Sequence, residues 1–329
     1  RSSPWHQIDD TGTRVNGHNQ YCQIVCNPLY TIYQTTVAKD RLTILDVLRG
    51  SQPRRFRLNA EALAYLDQVQ LAQVNRVRLL SLPWEQDLDE VTLERLLTAH
   101  LPQVTAQQRK WIQDALAVAA YHAQTEWPVV RLLLGDDAPQ WTWLTADLAL
   151  CWVHEGRHYK KLTPWVVAHR VALDAFQEQF WEFYADLLAY REQPSATERV
   201  RLAAAFDTLF ATSTAYWALN DRIAKTRAKK AALVLVLDHP EILLHNNAAE
   251  LGARQRVRKR DVSFGPRTAE GAQAWDTFMS LADTTRKLGV SFYHYIHDRI
   301  RNTGEIPALA DLITEQAQTL NLGASWDTP

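Results

Sequence analysis

The sequence predicts an α/β protein: a mixed sheet into which large helical blocks are inserted. Three observations lead there. The first 40 residues alternate in polarity, are rich in β-formers and are cut by tight-turn residues. Far downstream, "WPVVRLLLGDDA" is a β-rich apolar run ending in two acids, the pattern of a buried central strand. Most of the remaining chain spaces its apolar residues three and four apart, as amphipathic helices do.

Taken in order, "HQIDDTGTRVNG" holds a strand and a turn, "QYCQIVCN" a second strand, and "LYTIYQTTV" a third after Asn27-Pro28, together an antiparallel meander. "DRLTILDVLRG" starts on an Asp cap and stops at Gly50, so residues 1–50 form the first part of the sheet core with one helix. Residues 51–126 read as a helical insertion, from "NAEALAYLDQVQ" through "TAQQRKWIQDALAVAAYHAQ". Residues 127–162 return to the core with the buried strand, and "LALCWVH" reads as one more. Residues 163–240 form a second helical insertion, broken at Gln193-Pro194 and near Ser213. Residues 241–329 begin with "NNAAELGARQRV", a helix with Asn246 and Asn247 as its caps, and continue as a helical tail. No repeat or low-complexity linker interrupts this plan.

Composition narrows the setting. Lys and Arg number 36 against 37 Asp and Glu, a formal net charge of −1, so overall charge does not advertise a nucleic-acid partner. The charge is segregated, however: residues 221–267 hold eleven basic and five acidic side chains, a net of +6. Three cysteines rule out a disulfide framework for a chain this long and suit a reducing, cytoplasmic setting. No membrane span or signal peptide is visible, and an opening at Arg1 without methionine reads as a fragment of a longer chain.

Three acidic positions then draw attention: Asp9-Asp10 in the first strand, Asp136-Asp137 at the end of the buried strand, and Glu250 on the late helix. In a ribonuclease-H-like mixed sheet the first and fourth strands are neighbours. Asp9 and Asp136 would then meet, with Glu250 brought in by a helix packed on the sheet. Two divalent cations roughly 3.5–4 Å apart need such a shared carboxylate cluster. The plainer reading is that each acid only ends a strand or starts a helix. Behind Glu250 come Arg254, Arg256, Arg258, Lys259 and Arg260, then Arg267, all candidate phosphate contacts. On one helix 254 and 258 share a face and 256 and 260 another, about 160° away, so the helix is expected to fray or end near Arg258. In "CWVHEGRHYKKL", His154, His158, Lys160 and Lys161 read as further phosphate contacts. Cys151 and His154 could instead be half of a zinc site with Cys22 and Cys26. Those two, four residues apart on a strand, would be separated by roughly 13 Å, too far to chelate one ion. A buried cysteine beside a hydrogen-bonded histidine is the simpler expectation.

"HNNAAELGARQRVRKRDVSFG" and, further on, "TFMSLADTTRKLGVSFYHYIHDRI" resemble the C-terminal part of transposases of the insertion sequence 66 type. "IDDTGTRVNG" is similar to that family's first-aspartate segment and "CWVHEGRHYKKL" to its Cys-Trp-x-His block. A Cys-x-x-His pair at this place also recurs in several DDE transposase families. The resemblance implies a DDE catalytic core with a ribonuclease-H-like fold, two Mg²⁺ ions for which Mn²⁺ can substitute, and DNA strand cleavage and transfer. By position Asp9, Asp136 and Glu250 match the three acids, with Asp10 and Asp137 as possible replacements. It further implies DNA as partner, both element ends and target, and a homo-oligomer, a dimer, assembled on that DNA. Two features depart from the family: the helical block at 51–126, and the lack of the expected upstream end-binding region. A domesticated nuclease or a catalytically silent DNA-binding scaffold are the alternatives.

Overall fold

A computed structural model describes residues 3–50 and 52–326. Residues 1, 2, 51 and 327–329, at the limits of three of the expected segments, lie outside the described residues. The chain is a mixed α/β protein around a five-stranded sheet. Strands β1 (Trp5–Val15), β2 (His18–Cys26) and β3 (Thr31–Thr36) form the antiparallel meander. The β1–β2 turn is Asn16-Gly17, both at positive φ (48° and 78°), the two-residue turn whose twist matches that of the strands it joins. Helix α1 (Arg41–Leu48) follows, capped by Asp40, whose Oδ1 accepts from the Thr43 amide at 3.0 Å.

The first inserted block holds β4 (Phe56–Arg57), α2 (Ala60–Gln68), α3 (Gln73–Leu79), β5 (Asp87–Leu88), α4 (Glu90–His100) and α5 (Ala106–Ala123). It is therefore not purely helical. Phe56 pairs with Leu88 in a two-residue ladder, both side chains buried, while Arg57 Nε meets Asp87 at 2.6 Å beside them. A ladder this short leaves no period to read in sequence. The chain returns to the sheet with β6 (Leu132–Gly135) and β7 (Asp147–Leu150). The strand expected over "LALCWVH" stops at Leu150, because Cys151 starts helix α6 (Trp152–Lys160). The second block is α7 (Val167–Glu192), α8 (Ala196–Leu209), α9 (Trp217–Arg227) and the single turn α10 (Lys230–Leu233), with no strand among its described residues. After it come α11 (Asn247–Ser263), α12 (Ala269–Lys287), α13 (Phe292–Arg301) and α14 (Leu309–Leu320). No described helix is long and apolar enough to cross a membrane.

Strand order is β3-β2-β1-β6-β7, with β6 parallel to both β1 and β7. All four β6 residues are buried, as befits a strand covered on both faces. One face, carrying Ile8, Val25 and Leu133, packs on the first block. The other carries Trp5, Leu132 and Leu134 against the second block, and Cys22, Ile24 and Cys26 against α11. The exposed edge of the sheet is closed by side chains. The amides of Thr31, Tyr33 and Thr35 donate to Thr284 Oγ1 (3.3 Å), Ser280 Oγ (2.9 Å) and Asp276 Oδ2 (2.5 Å) on α12. Four helical residues rise about 6 Å and two strand residues about 6.7 Å, so each step along α12 meets each second amide of β3. An edge closed in this way offers no row of amides to another strand.

Candidate functional site

The site forms where β1, β6 and α11 meet. Successive strand residues face opposite ways, so the Asp9-Asp10 doublet is split. Asp9 pairs across β2 with Ile24, on the α11 side of the sheet. Asp10 points to the other side, where Lys39 Nζ (3.3 Å) and Gln140 Nε2 (3.2 Å) hold its carboxylate. On β6 the ladder pairs Trp5 with Leu132 and Gln7 with Leu134. Continuing that register by two residues sets Asp136 level with Asp9 on the neighbouring strand. Asp136 Oδ1 accepts from Trp141 Nε1 (2.6 Å) and the Ala138 amide (3.2 Å), which fixes the carboxylate just past the strand end. Asp137 is turned outwards to Lys229 Nζ at 2.5 Å.

Glu250 lies in the first turn of α11, which crosses β1 and β2. The helix sits close because Gly252 has no side chain: a Cβ there would come within 2.9 Å of Ile24 Cγ2 and 3.0 Å of the Tyr33 hydroxyl. Its start is ordered differently from the expected asparagine caps. Asn247 is already the first helical residue, and Asn246 makes no side-chain cap. Asn246 Nδ2 donates to the Ile8 carbonyl (3.3 Å), and Gln7 Oε1 accepts from the Ala248 amide (3.1 Å), so β1 itself caps the helix. Both bonds tie Glu250 to the strand that carries Asp9. Asp9, Thr11, His154, Glu250, Arg254 and Arg258 line one cleft of ≈ 360 Å³, with Asp136 outside its lining.

Asp9 is set deep in the sheet, next to other negative charges. Burial pushes its carboxyl up to about 7, opposed by the Asp10 amide and reinforced by the negative charges of Asp136, Asp10 and Glu250. Neither Asp9 nor Asp136 has an ion-pair partner among the described residues. Glu250, by contrast, is held by Arg157 Nη2 (3.1 Å), Arg254 Nη2 (3.4 Å) and His154 Nε2 (3.6 Å). Asp9 feels the negative charges of Asp136 and Glu250, and hard carboxylate oxygens are the donors a divalent ion such as Mg²⁺ takes. Glu250 would join them by exchanging its arginine contacts for the ion.

The uncharacterized protein y4jO of Sinorhizobium fredii is 30% identical over 326 residues, an overlap taking in 96% of this chain and 98% of that protein. The chain belongs to the y4jO family. An overlap that nearly complete means neither helical block is peculiar to this sequence. No family model matches the chain, and no solved structure matches it.

Of the basic residues singled out from the sequence, Arg258 lines the cleft and Arg254 stands over it, 62% exposed. Arg256 does not belong with them. Its side chain is 1% exposed, paired with Asp276 at 3.0 Å, donating to Thr35 Oγ1 at 2.7 Å and lying over the Trp275 ring at 4.9 Å. At that position the period of α11 turns the side chain into the α12 interface, away from any phosphate. Nor does the helix end near Arg258. It continues to Ser263 and stops where Phe264 and Gly265 take left-handed conformations (φ 60° and 83°). Lys259 is exposed over Trp275, Arg260 donates to the Gly12 carbonyl (2.7 Å), and Arg267 is exposed beyond Pro266. On α6, His154 faces the cleft while Lys160 and Lys161 are exposed. His158 is half-buried and held below its usual pKa by burial and then by Arg222. Arg157, on the face of α6 that carries His154, went unnoticed in the sequence although a three-residue spacing from His154 marks it. Cys22 and Cys26 are buried between the sheet and α11, pushed up to about 12 and about 11 by burial.

Proposed function

We propose that this protein is a DDE-type polynucleotidyl transferase with a ribonuclease-H-like core, cutting and joining DNA strands. What supports the reading is the placement of three acids: Asp9 and Asp136 level on adjacent parallel strands, and Glu250 on a helix whose start β1 caps. The strand order, with three antiparallel strands and then two parallel to the first, is the order expected of such a core. So is a late helix bearing the third acid.

Asp9, Asp136 and Glu250 would hold two Mg²⁺ ions, or Mn²⁺ in their place. Ions so held would supply an activated attacking oxygen and stabilise the leaving one. The chain's own residues do the rest. Trp141 and Ala138 hold Asp136 in place, and Gln7 and Asn246 fix Glu250 against β1. Arg254 and Arg258 present positive charge where a phosphate backbone would enter the cleft. Arg157 keeps Glu250 compensated until the site is loaded. Partners under this reading are DNA ends and target DNA, with a dimer assembled on them.

The test is incubation of the full chain with Mg²⁺ and a plasmid carrying the flanking DNA ends. Nicks bearing 3′-hydroxyls and joined products are expected, and both should vanish in Asp136→Asn. Nicks without joining would indicate a nuclease. DNA binding with no cleavage under Mg²⁺ or Mn²⁺ would favour the silent scaffold and sink the transferase.

A further inference from the structure

We propose that Cys151, His154 and Glu250 form a binding site for a borderline-soft divalent metal of the Zn²⁺ class, distinct in its donors from the carboxylate site. One ligand atom from each residue lies within 4.8 Å of the others, and His154 Nε2 is 3.6 Å from Glu250 Oε1. With Zn–S about 2.3 Å and Zn–N or Zn–O about 2.0–2.2 Å, tetrahedral ligands stand roughly 3.4–3.6 Å apart. Movement of about an ångström by the partly buried His154 and Glu250 side chains closes the difference. Cys22 and Cys26, which strand spacing already sets aside as partners for Cys151, are packed under α11.

Two further observations point to a ligand here. His154 Nδ1 is buried without any hydrogen-bond partner, while Nε2, across the ring, is the nitrogen that faces Glu250 and Arg157. Cys151 stands at the start of α6, where the amides of Asn246, His154 and Val153 face its sulfur. A side-chain cation stands beside this place: Arg157 donates to His154 Nε2 (2.9 Å) and to Glu250 (3.1 Å). Its side chain is 40% exposed and can swing outwards.

Binding would proceed by loss of the Cys151 thiol proton to water and formation of one S–metal, one N–metal and one O–metal bond. Three protein ligands leave a fourth position for water, on the cleft that His154 and Glu250 share with Asp9. Glu250 cannot serve this ion and the carboxylate site fully at once, so the two should compete. The site itself does not depend on the DNA chemistry proposed above.

The test is titration of the full chain with Co²⁺ as a spectroscopic probe, followed by Zn²⁺ displacement and metal analysis. One equivalent should bind with a sulfur-to-cobalt charge-transfer absorption in the near ultraviolet. Cys151→Ser should abolish that band and His154→Ala should weaken binding at least tenfold. Asp10→Asn and Cys22→Ser should keep both band and stoichiometry. A wild-type chain that binds no Co²⁺, or binds it without the sulfur band, overturns the proposal whatever the variants do. So does a band that survives in Cys151→Ser.

Discussion

Arg256 and Arg258 stand two residues apart on α11, and their surroundings differ completely. Arg256 is walled in by Asp276, Thr35 and Trp275, where it joins α11 to α12 and the edge strand. Arg258 is exposed on the cleft that holds Asp9 and Glu250. The same contrast divides the whole helix: Ala249, Gly252 and Ala253 press onto the sheet, Glu250 faces the cleft beside Asp9, and Arg254 looks outwards. A basic run in sequence is therefore two populations in the fold, sorted by the 3.6-residue period and by what waits opposite each face.

The sharpest way to break this comparison is to truncate the buried member. Arg256→Ala should destabilise the chain by about 3–5 kcal/mol, because Asp276 is left buried without its charge partner. Arg258→Ala should change stability by less than about 0.5 kcal/mol. Urea melts of both variants decide it, and equal stabilities would erase the distinction. Next in size is the packed face. Gly252→Ala puts a Cβ 2.9 Å from Ile24 Cγ2 and should cost about 1–3 kcal/mol by lifting α11 from the strands. A melting temperature unchanged in that variant would mean the helix is not seated as described.

In the cleft, Asp9 gives a pH-dependent signature. The Asp9 carboxyl is raised to about 7 in the folded chain, against an ordinary value of 3.8. Well below pH 3.8 it is neutral folded or unfolded, and its contribution to stability is fully present. As pH rises from there towards 7 the unfolded chain ionises first, so that contribution is lost. Asp9→Asn should therefore be more stable than wild type at pH 8, by roughly 2 kcal/mol, and no more stable near about pH 3. Added Mg²⁺ should narrow the gap by stabilising wild type alone. An equal gap at both pH values would mean that Asp9 does not feel its neighbours. The smallest effect belongs to the exposed arginines. Arg254→Ala and Arg258→Ala should each flatten the log–log salt dependence of duplex DNA binding by roughly 0.9 per lost phosphate contact. Binding to two unrelated duplexes should weaken alike.

What could be read from sequence and what could not follow the same division. The Asn16-Gly17 turn, the Asp40 cap, the apolar run of β6 and the break at Gln193-Pro194 are local signals, and the elements they mark lie where those signals put them. The two-residue ladder of Phe56 and Leu88 is too short to carry a period. The capping of α11 by Gln7 joins residues 241 positions apart, and no spacing rule reaches that far. Arg256 was placed with its exposed neighbours because charge suggests solvent. Its burial depends on Asp276, twenty residues on and supplied by another helix. For the site, β alternation alone parts Asp9 from Asp10, but only the register of β1 on β6 sets Asp136 beside Asp9.

The central claim is that Asp9, Asp136 and Glu250 make one divalent-cation site that excludes Asp10 and Asp137. The most direct test is Mn²⁺ titration, following the loss of the free-ion signal by electron paramagnetic resonance, with Cys151→Ser as background so that the sulfur-containing site is silent. The background chain, Asp10→Asn and Asp137→Asn should bind alike, and Asp9→Asn, Asp136→Asn and Glu250→Gln should each weaken binding at least tenfold. Unchanged Mn²⁺ affinity in any of those three, or equal losses in Asp10→Asn, would contradict the account.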